Sequence, residues 1–373
     1  MLATSSYNYI RDGVALTLNR LVEYLERHDV EVLVIAPVAK VPALAHVGNI
    51  VPVPSIPLPR RPEYRLALGL PRSVQKQMIE FKPDIIHVAV PDLLGYRALK
   101  FAQKWNIPVV ASYHTRYETY LQHYGVGGLR KPLAKYLRSF YDKCRELYVA
   151  SASMIEELEA DGVQTKIRLW TRGVDSQLFN PGKRSEPWRH QFGFGPEEPV
   201  ITFVGRLVRE KRLGTFVDTL RRLQESGVAH RALIVGDGPE RETLKKQLPD
   251  AVFTGMLEGE ELARAYASAD IFLFPSDTES FGSVTLEAMA SGLPTVCADA
   301  TGSRSLVDVG STGFLAEPGD VEAFTGHVRM LVADAELRRR MGNAARERSL
   351  SLSWDDAMSP ILGYYKQLVA ISD

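Results

Sequence analysis

The chain has two cysteines in 373 residues, Cys144 and Cys297, far apart and without partner spacing. That excludes a disulfide framework and a cysteine zinc site as organising principles, and it fits a reducing cytosol. No stretch approaches the roughly 18 consecutive apolar residues that a spanning helix needs. The first residues lack a basic segment followed by an apolar run, so no leader peptide is expected. A full Gly-x-Gly-x-x-Gly after a strand, with an acidic residue about 20 positions later, is also missing. Its absence argues against an oxidoreductase built on two dinucleotide-binding domains. Net charge is zero, but unevenly distributed: residues 1–182 hold 23 Lys and Arg against 17 Asp and Glu, net +6, and residues 183–373 hold 22 against 28, net −6. A basic half either meets something anionic or reflects ordinary scatter in surface charge.

What is present is a soluble globular composition, 45% hydrophobic and 24% charged, in a chain too long for one ordinary core. Apolar runs alternate with amphipathic segments almost throughout. The runs are EVLVIAP (31–37), DIIHVAV (84–90), IPVVASY (107–113), PVITFVG (199–205), RALIVGD (231–237), DIFLFPS (270–276) and LPTVCAD (293–299). Such βαβα alternation predicts parallel sheets covered by helices on both faces. It occurs twice, around NPGKRSEPWRHQFGFGPEEP (180–199), a Pro-, Gly- and charge-rich stretch read as a linker. The expected domains are 1–182 and 183–373, with a last helix over about 354–371 able to pack back on the first domain. Only Met1, Leu2, Ala3 and Thr4 precede the first loop, SSYNYIRDG, so the first strand is either unusually short or truncated.

Ligands of doubly wound sheets collect beyond the carboxyl ends of the strands. Four strand-end segments of the second half bring polar groups there. In VGRLVREKR, Gly205 lets backbone approach while Arg206 and Lys211 offer two cations near a helix start; these suit a diphosphate or form a solvated basic turn. In VGDGPE (235–240) a lone Gly-x-Gly reads first as a tight strand-to-helix turn. In DTESFGSVTLEAMASG, Glu279 lies on a loop after a strand. Gly282 precedes a helix start, where backbone N–H groups are free to bind phosphate, and Glu287 lies about one turn inside. Two carboxylates repel a diphosphate but accept hydrogen bonds from hydroxyls on either side of it, which describes a nucleotide sugar. The competing reading is a helix-start glutamate favoured by the dipole plus a surface glutamate. The fourth segment, DATGSRSLV (299–307), lines the same crevice or is a simple turn.

Taken together, GRLVREK, VGDGPE and ESFGSVTLEAMASGLPTV, in this order and spacing, resemble the retaining nucleotide-sugar glycosyltransferases of family 4. DGVALTLNRLVEYLERHDVEVLVIAP, ASYHTRYETYLQHYG and RGVDSQLFNP extend the resemblance over nearly the whole chain. Its nearest flavour is the group of lipid-modifying mannosyltransferases and sulfoquinovosyl- or glucuronosyl-diacylglycerol synthases. The resemblance implies the α/β GT-B architecture, two facing Rossmann-like domains with the active site in the cleft between them. It implies that Arg206 and Lys211 neutralise the donor diphosphate. Glu279 takes the sugar hydroxyls, helped by the backbone of Phe281 and Gly282. Ser283 and Val284 offer N–H groups to phosphate, and Glu287 accepts from the ribose. His114 would face the sugar, and Asp12 and Gly13 match the loop that approaches diphosphate and acceptor. The chain lacks Asp-x-Asp, the metal-anchoring pair of many other glycosyltransferases, so no divalent metal and no cofactor are expected beside a GDP- or UDP-sugar.

The acceptor is read from the first half. Leu129, Leu133, Leu137 and Phe140 recur at helical spacing, with Arg130, Lys131, Lys135 and Arg138 as a basic component. The stretch could lie on an anionic bilayer with its lipid acceptor below, or pack as an ordinary amphipathic helix with a solvated charged face. The Tyr-rich segment before it carries Arg116 and His123, and PLPRRPEYR (57–65) adds three arginines. The expectation is a retaining hexosyltransferase, mannosyl weakly preferred, forming an α-glycoside on a membrane glycerolipid. It would be cytoplasmic and peripheral on the inner face of the membrane, with no nucleic-acid partner. The alternatives are the same chemistry on a soluble or polysaccharide-precursor acceptor, and a non-catalytic sugar-nucleotide binding protein.

Overall fold

The computed structural model describes residues 1–10, 12–58, 61–114 and 130–372. The chain parts into two compact units, Met1–Arg172 with Trp354–Asp373, and Gly173–Ser353. Arg116, His123 and Leu129 lie outside the described residues, as does Arg60 of the basic segment 57–65.

The first unit is built on a parallel sheet of β1 (Leu2–Ala3), β2 (Leu33–Ala36), β3 (Asn49–Pro52), β6 (Ile86–Val88), β7 (Val109–Tyr113), β8 (Glu146–Val149) and β9 (Lys166–Leu169). Between them, β4 (Ser55–Leu58) and β5 (Arg61–Ala67) form a separate antiparallel hairpin. The sheet order is β3-β2-β1-β6-β7-β8-β9, so the strand order reverses at the β1/β6 seam while the strands stay parallel. Strand alternation divides the core between two faces. Leu33 and Ile35 join one buried cluster, and Leu2, Val34 and Ala36 the other. β1 is indeed short, yet it occupies the sheet centre. Main-chain bonds run on both sides of it, from His87 N to Met1 O at 2.9 Å and from Thr4 N to Ile35 O at 3.0 Å.

The second unit repeats the plan with β10 (Val200–Val204), β11 (Arg231–Val235), β12 (Val252–Gly255), β13 (Ile271–Phe274), β14 (Thr295–Ala298) and β15 (Gly313–Ala316). The order is β12-β11-β10-β13-β14-β15, all parallel, with the reversal at β10/β13. Every apolar run named from the sequence contains one of these strands. No helix among the described residues is long and apolar enough to cross a membrane.

The chain passes between units at Arg172, earlier than the Pro- and Gly-rich stretch suggests. Arg346 explains this: its guanidinium donates to Ser176 O, Phe179 O and Ala290 O at 3.0, 2.7 and 2.7 Å, fastening residues 176–179 to the second unit. The 180–199 stretch is no loose linker either. Trp188 and Phe194 are buried. Arg189, fully buried, donates to Asp270 Oδ2 at 3.0 Å and to Ser268 O, Gly195 O and Glu198 O at 2.7 to 2.8 Å. The last helix, Trp354–Ser372, returns to the first unit and lays Met358, Ile361, Leu362 and Tyr365 into its core beside Leu18, Leu21 and Leu25.

The helix Arg130–Tyr141 corrects one expectation. Leu137 and Phe140 are buried in the first unit's own core, with Leu133 packed against it. That apolar stripe is therefore not available to a bilayer. Lys131, Lys135 and Arg138 stay exposed.

Candidate active site

The seam between β10 and β13 is where a doubly wound sheet opens a crevice. The loops leaving these two strands carry Gly205, Arg206, Lys211 and Arg212 on one side, and Ser276, Asp277, Thr278 and Glu279 on the other. Two ion pairs join them. Arg212 donates to Asp277 Oδ2 at 2.5 Å, and Lys211 pairs with Glu279 Oε1, which also accepts from Ser276 Oγ at 3.1 Å. The side chains of Lys211 and Glu279 are 17% and 18% exposed, so the pair is shielded yet reachable. The two residues expected to face diphosphate and sugar thus touch each other. Arg206 is exposed at the end of β10.

The loop after β10 owes its course to VGDG. A Cβ on Gly236, at φ +137°, would sit 1.9 Å from Gly205 O. Glycine there lets two strand-end loops run side by side, joined by Leu207 N to Asp237 O at 2.9 Å and Glu240 N to Leu207 O at 3.0 Å. This is the tight-turn reading of the motif. The segment 299–307, expected as a strand-end loop or turn, is largely the helix Thr301–Leu306, and it packs under the glutamate: Gly302 N donates to Glu279 O at 3.0 Å.

Helix Ser283–Ala290 starts at Gly282, whose φ of +94° turns the backbone into the first turn. Phe281 is buried, so it can offer a ligand only its main chain, while Ser283 is exposed and Val284 half-buried. The N–H groups of Ser283 and Val284 belong to a first helical turn, which has no intrahelical acceptor, and the dipole there favours an anion. Glu287 follows one turn on. Its Oε2 accepts from Tyr266 Oη at 3.0 Å, and burial of the carboxyl pushes it up to about 7, with the phenol's hydrogen bond opposing. Tyr266 was not legible as a site residue, because in ELARAYASAD it is one more apolar position of a helix.

The first unit has a parallel arrangement at its β1/β6 seam. Ser5 donates to Asp92 and Ser6 to Asp12 at 3.1 Å, and each aspartate caps a helix, through Gly95 N at 2.9 Å and Ala15 N at 2.8 Å. Gly13 is exposed, and a Cβ there would meet nothing within 4 Å, so no neighbour demands glycine. His114, just past β7, is held from two sides: Nε2 lies 2.7 Å from Ser112 Oγ and Nδ1 2.9 Å from Arg172 Nη2. A guanidinium can only donate, so Nδ1 accepts and Nε2 carries the proton. Burial, and then the Arg172 charge, hold this imidazole neutral, well below its ordinary range. Arg172 is itself buried over the Trp170 ring at 4.6 Å, and burial lowers it to about 9. Sequence reading passed over it because nothing in RGVD marks the arginine as interior.

Among the described residues no group of three His, Cys, Asp or Glu could hold a metal ion. Both cysteines are buried and unbridged, and burial pushes each thiol up to about 12.

Comparison with known proteins bears on the family and the fold. The profile described as Glycosyltransferase Family 4 matches residues 11–178, and that of Glycosyl transferases group 1 matches residues 184–348. A sulfoquinovosyl transferase of Arabidopsis thaliana is 36% identical over 96% of this chain and 71% of its own length. A GDP-mannose-dependent alpha-mannosyltransferase of Mycobacterium tuberculosis is 36% identical over 95% of this chain and 93% of its own. Among solved structures, sucrose-phosphate synthase of Thermosynechococcus elongatus superposes with a TM-score of 0.81 at 22% identity, covering 99% of both chains, a likeness of fold. The chain belongs to the family 4 glycosyltransferases, and its two parallel-sheet units are those of the GT-B architecture.

Proposed function

We propose that this glycosyltransferase moves a hexosyl unit, with mannosyl preferred, from a nucleoside-diphosphate sugar to a membrane glycerolipid, with retention, forming an α-glycoside. The observation that carries the reading is the grouping at the β10/β13 seam: cations, an uncapped helix start and two separated carboxylates within one unit. Arg206, Lys211 and the N–H groups of Ser283 and Val284 take the diphosphate and stabilise the charge that grows on it as it leaves. Gly205 keeps the backbone beside it low. Glu279 takes sugar hydroxyls, aided by the main chain of Phe281 and Gly282, and Glu287 takes the ribose. In the first unit, Asp12 and Gly13 are the expected partners of diphosphate and acceptor, and His114 of the sugar. The His114 ring, neutral with its proton on Nε2, suits hydrogen bonding rather than proton abstraction. The reading needs no divalent metal, because fixed cations and a helix terminus meet the diphosphate charge.

Support for the mannosyl donor comes from a relative named for GDP-mannose-dependent mannosyl transfer, and support for the glycerolipid acceptor from a more distant one, 26% identical over 79% of this chain, named alpha-monoglucosyldiacylglycerol synthase. The exposed Lys131, Lys135 and Arg138 suit an anionic bilayer on the inner face of the membrane. The burial of Leu137 and Phe140 favours the second reading, the same chemistry on a soluble or polysaccharide-precursor acceptor.

The test is transfer from GDP- and UDP-sugars to diacylglycerol in anionic vesicles, with flotation of the protein on the same vesicles. Glu279→Ala should lower transfer by about 100-fold or more. Full activity in that variant would sink the site assignment. No release of nucleotide with any donor and acceptor would leave a binding protein, and absence of flotation would move the acceptor into solution.

A further inference from the structure

We propose that Tyr266 is a positioning residue for the nucleotide: its buried phenol holds Oε2 of Glu287 and leaves Oε1 to the ribose hydroxyls of the donor. The proposal rests on the reading of Glu287 as the ribose partner. Tyr266 comes from the helix Gly259–Ala267, and its fully buried ring packs edge-on against Phe179, centroids 5.8 Å apart, and beside Phe272 at 6.1 Å. Its hydroxyl reaches two acceptors, Glu287 Oε2 at 3.0 Å and Val284 O at 3.2 Å. It has one proton to give, and an ionised carboxylate is the stronger acceptor. Glu287 keeps partial exposure, so the oxygen that Tyr266 does not hold can meet a ligand.

Among the described residues no cation shares this task. Helix Ala335–Leu350 turns Arg346 to Ala290 O, at the far end of Glu287's helix. β14 brings Cys297 to Thr285, helix Thr301–Leu306 carries Arg304, which bonds Asp299, and β13 has no titratable side chain. Glu279, on the loop before the helix, is engaged with Lys211. The phenol is therefore the group that opposes the effect of burial on Glu287. A donor to the charged form favours that form; taking it away raises the pH at which the carboxyl gains its proton. An acceptor for ribose hydroxyls is then lost near neutrality and regained as pH rises.

Tyr266→Phe keeps the ring and its packing and removes only the donor. Two measurements on the full chain decide the matter: the carbon-13 NMR titration of the Glu287 carboxyl, and the affinity for UDP and GDP between about pH 6 and about pH 9. The expected result is a titration midpoint raised by about one pH unit or more in Tyr266→Phe, with affinity lost below the new midpoint and recovered above it. Glu287→Gln should abolish the pH dependence that follows the Glu287 midpoint, leaving only that of the nucleotide's own terminal phosphate near about pH 6. An unmoved midpoint, or an affinity reduced by the same factor at every pH, would overturn the proposal. A midpoint that moves while affinity stays unchanged in both variants would instead remove Glu287 from the nucleotide site, and with it the reading this rests on.

Discussion

Arg172 points its guanidinium at Nδ1 of His114 from 2.9 Å, a cation bonded to a base that it keeps neutral. Arg172→Met removes both the donor and the like charge. Burial still depresses the ring, but the His114 midpoint should rise, read by proton NMR of the imidazole. An unmoved midpoint would mean that burial alone controls the ring.

His87 gives a stability prediction. It is fully buried with Nδ1 on the Tyr365 hydroxyl, and burial, the largest cause, lowers it to about 3. The unfolded histidine takes a proton below about 6.5, whereas the folded one does so only near 3. Between those values the unfolded state binds more protons, so stability is present above pH 6.5 and falls as pH drops, by about 1.4 kcal/mol per pH unit for this residue. His87→Phe should remove that share of the slope. Urea midpoints of both proteins at neutral and mildly acidic pH check it; parallel slopes would contradict it.

Gly302→Ala should strike the site through the backbone. Its Cβ would stand 2.8 Å from the Phe281 main chain and 2.9 Å from Glu279 Cβ. The cost should be about 1–3 kcal/mol, with a lower Tm and a fall in kcat/KM as Glu279 shifts. Gly326→Ala is the control: nothing lies within 4 Å of its Cβ, and alanine favours its helix. Equal Tm in both variants would disprove the close approach.

Arg189→Met should destabilise the second unit by about 3–5 kcal/mol, because it strips Asp270 and three carbonyls of a fully buried donor. Arg339→Met, which breaks a pair to Glu336 with both side chains about two-thirds exposed, should cost less than about 1 kcal/mol. Chemical denaturation of the two variants side by side measures the contrast.

The two doubly wound sheets were legible because buried parallel strands are near-continuous apolar runs, and DIFLFPS or PVITFVG can hardly be anything else. The edge strands were harder. Lys166–Leu169 and Val252–Gly255 are short, and the first alternates polar with apolar, while the antiparallel strands Ser55–Leu58 and Arg61–Ala67 overlap PLPRRPEYR and hide in it. The stretch 180–199 misled because Pro, Gly and charge usually mark exposed chain. Here one arginine meets four partners and makes the segment part of the second unit.

At the site the division is physical. The local order strand, loop, helix start is set by neighbours in the chain, so the spacing of Glu279, Gly282 and Glu287 already implied a carboxylate on a loop, a free helix start and a second carboxylate inside it. Which group touches which is decided by residues far apart in sequence, and no periodicity reports that. Only the folded chain brings Lys211 onto Glu279, Tyr266 onto Glu287, and Arg172 onto His114. Each of these contacts lies where burial strengthens a hydrogen bond and penalises an unpaired charge, so they set the orientation of groups whose identity the sequence alone had supplied, and for Glu287 and His114 the protonation state too.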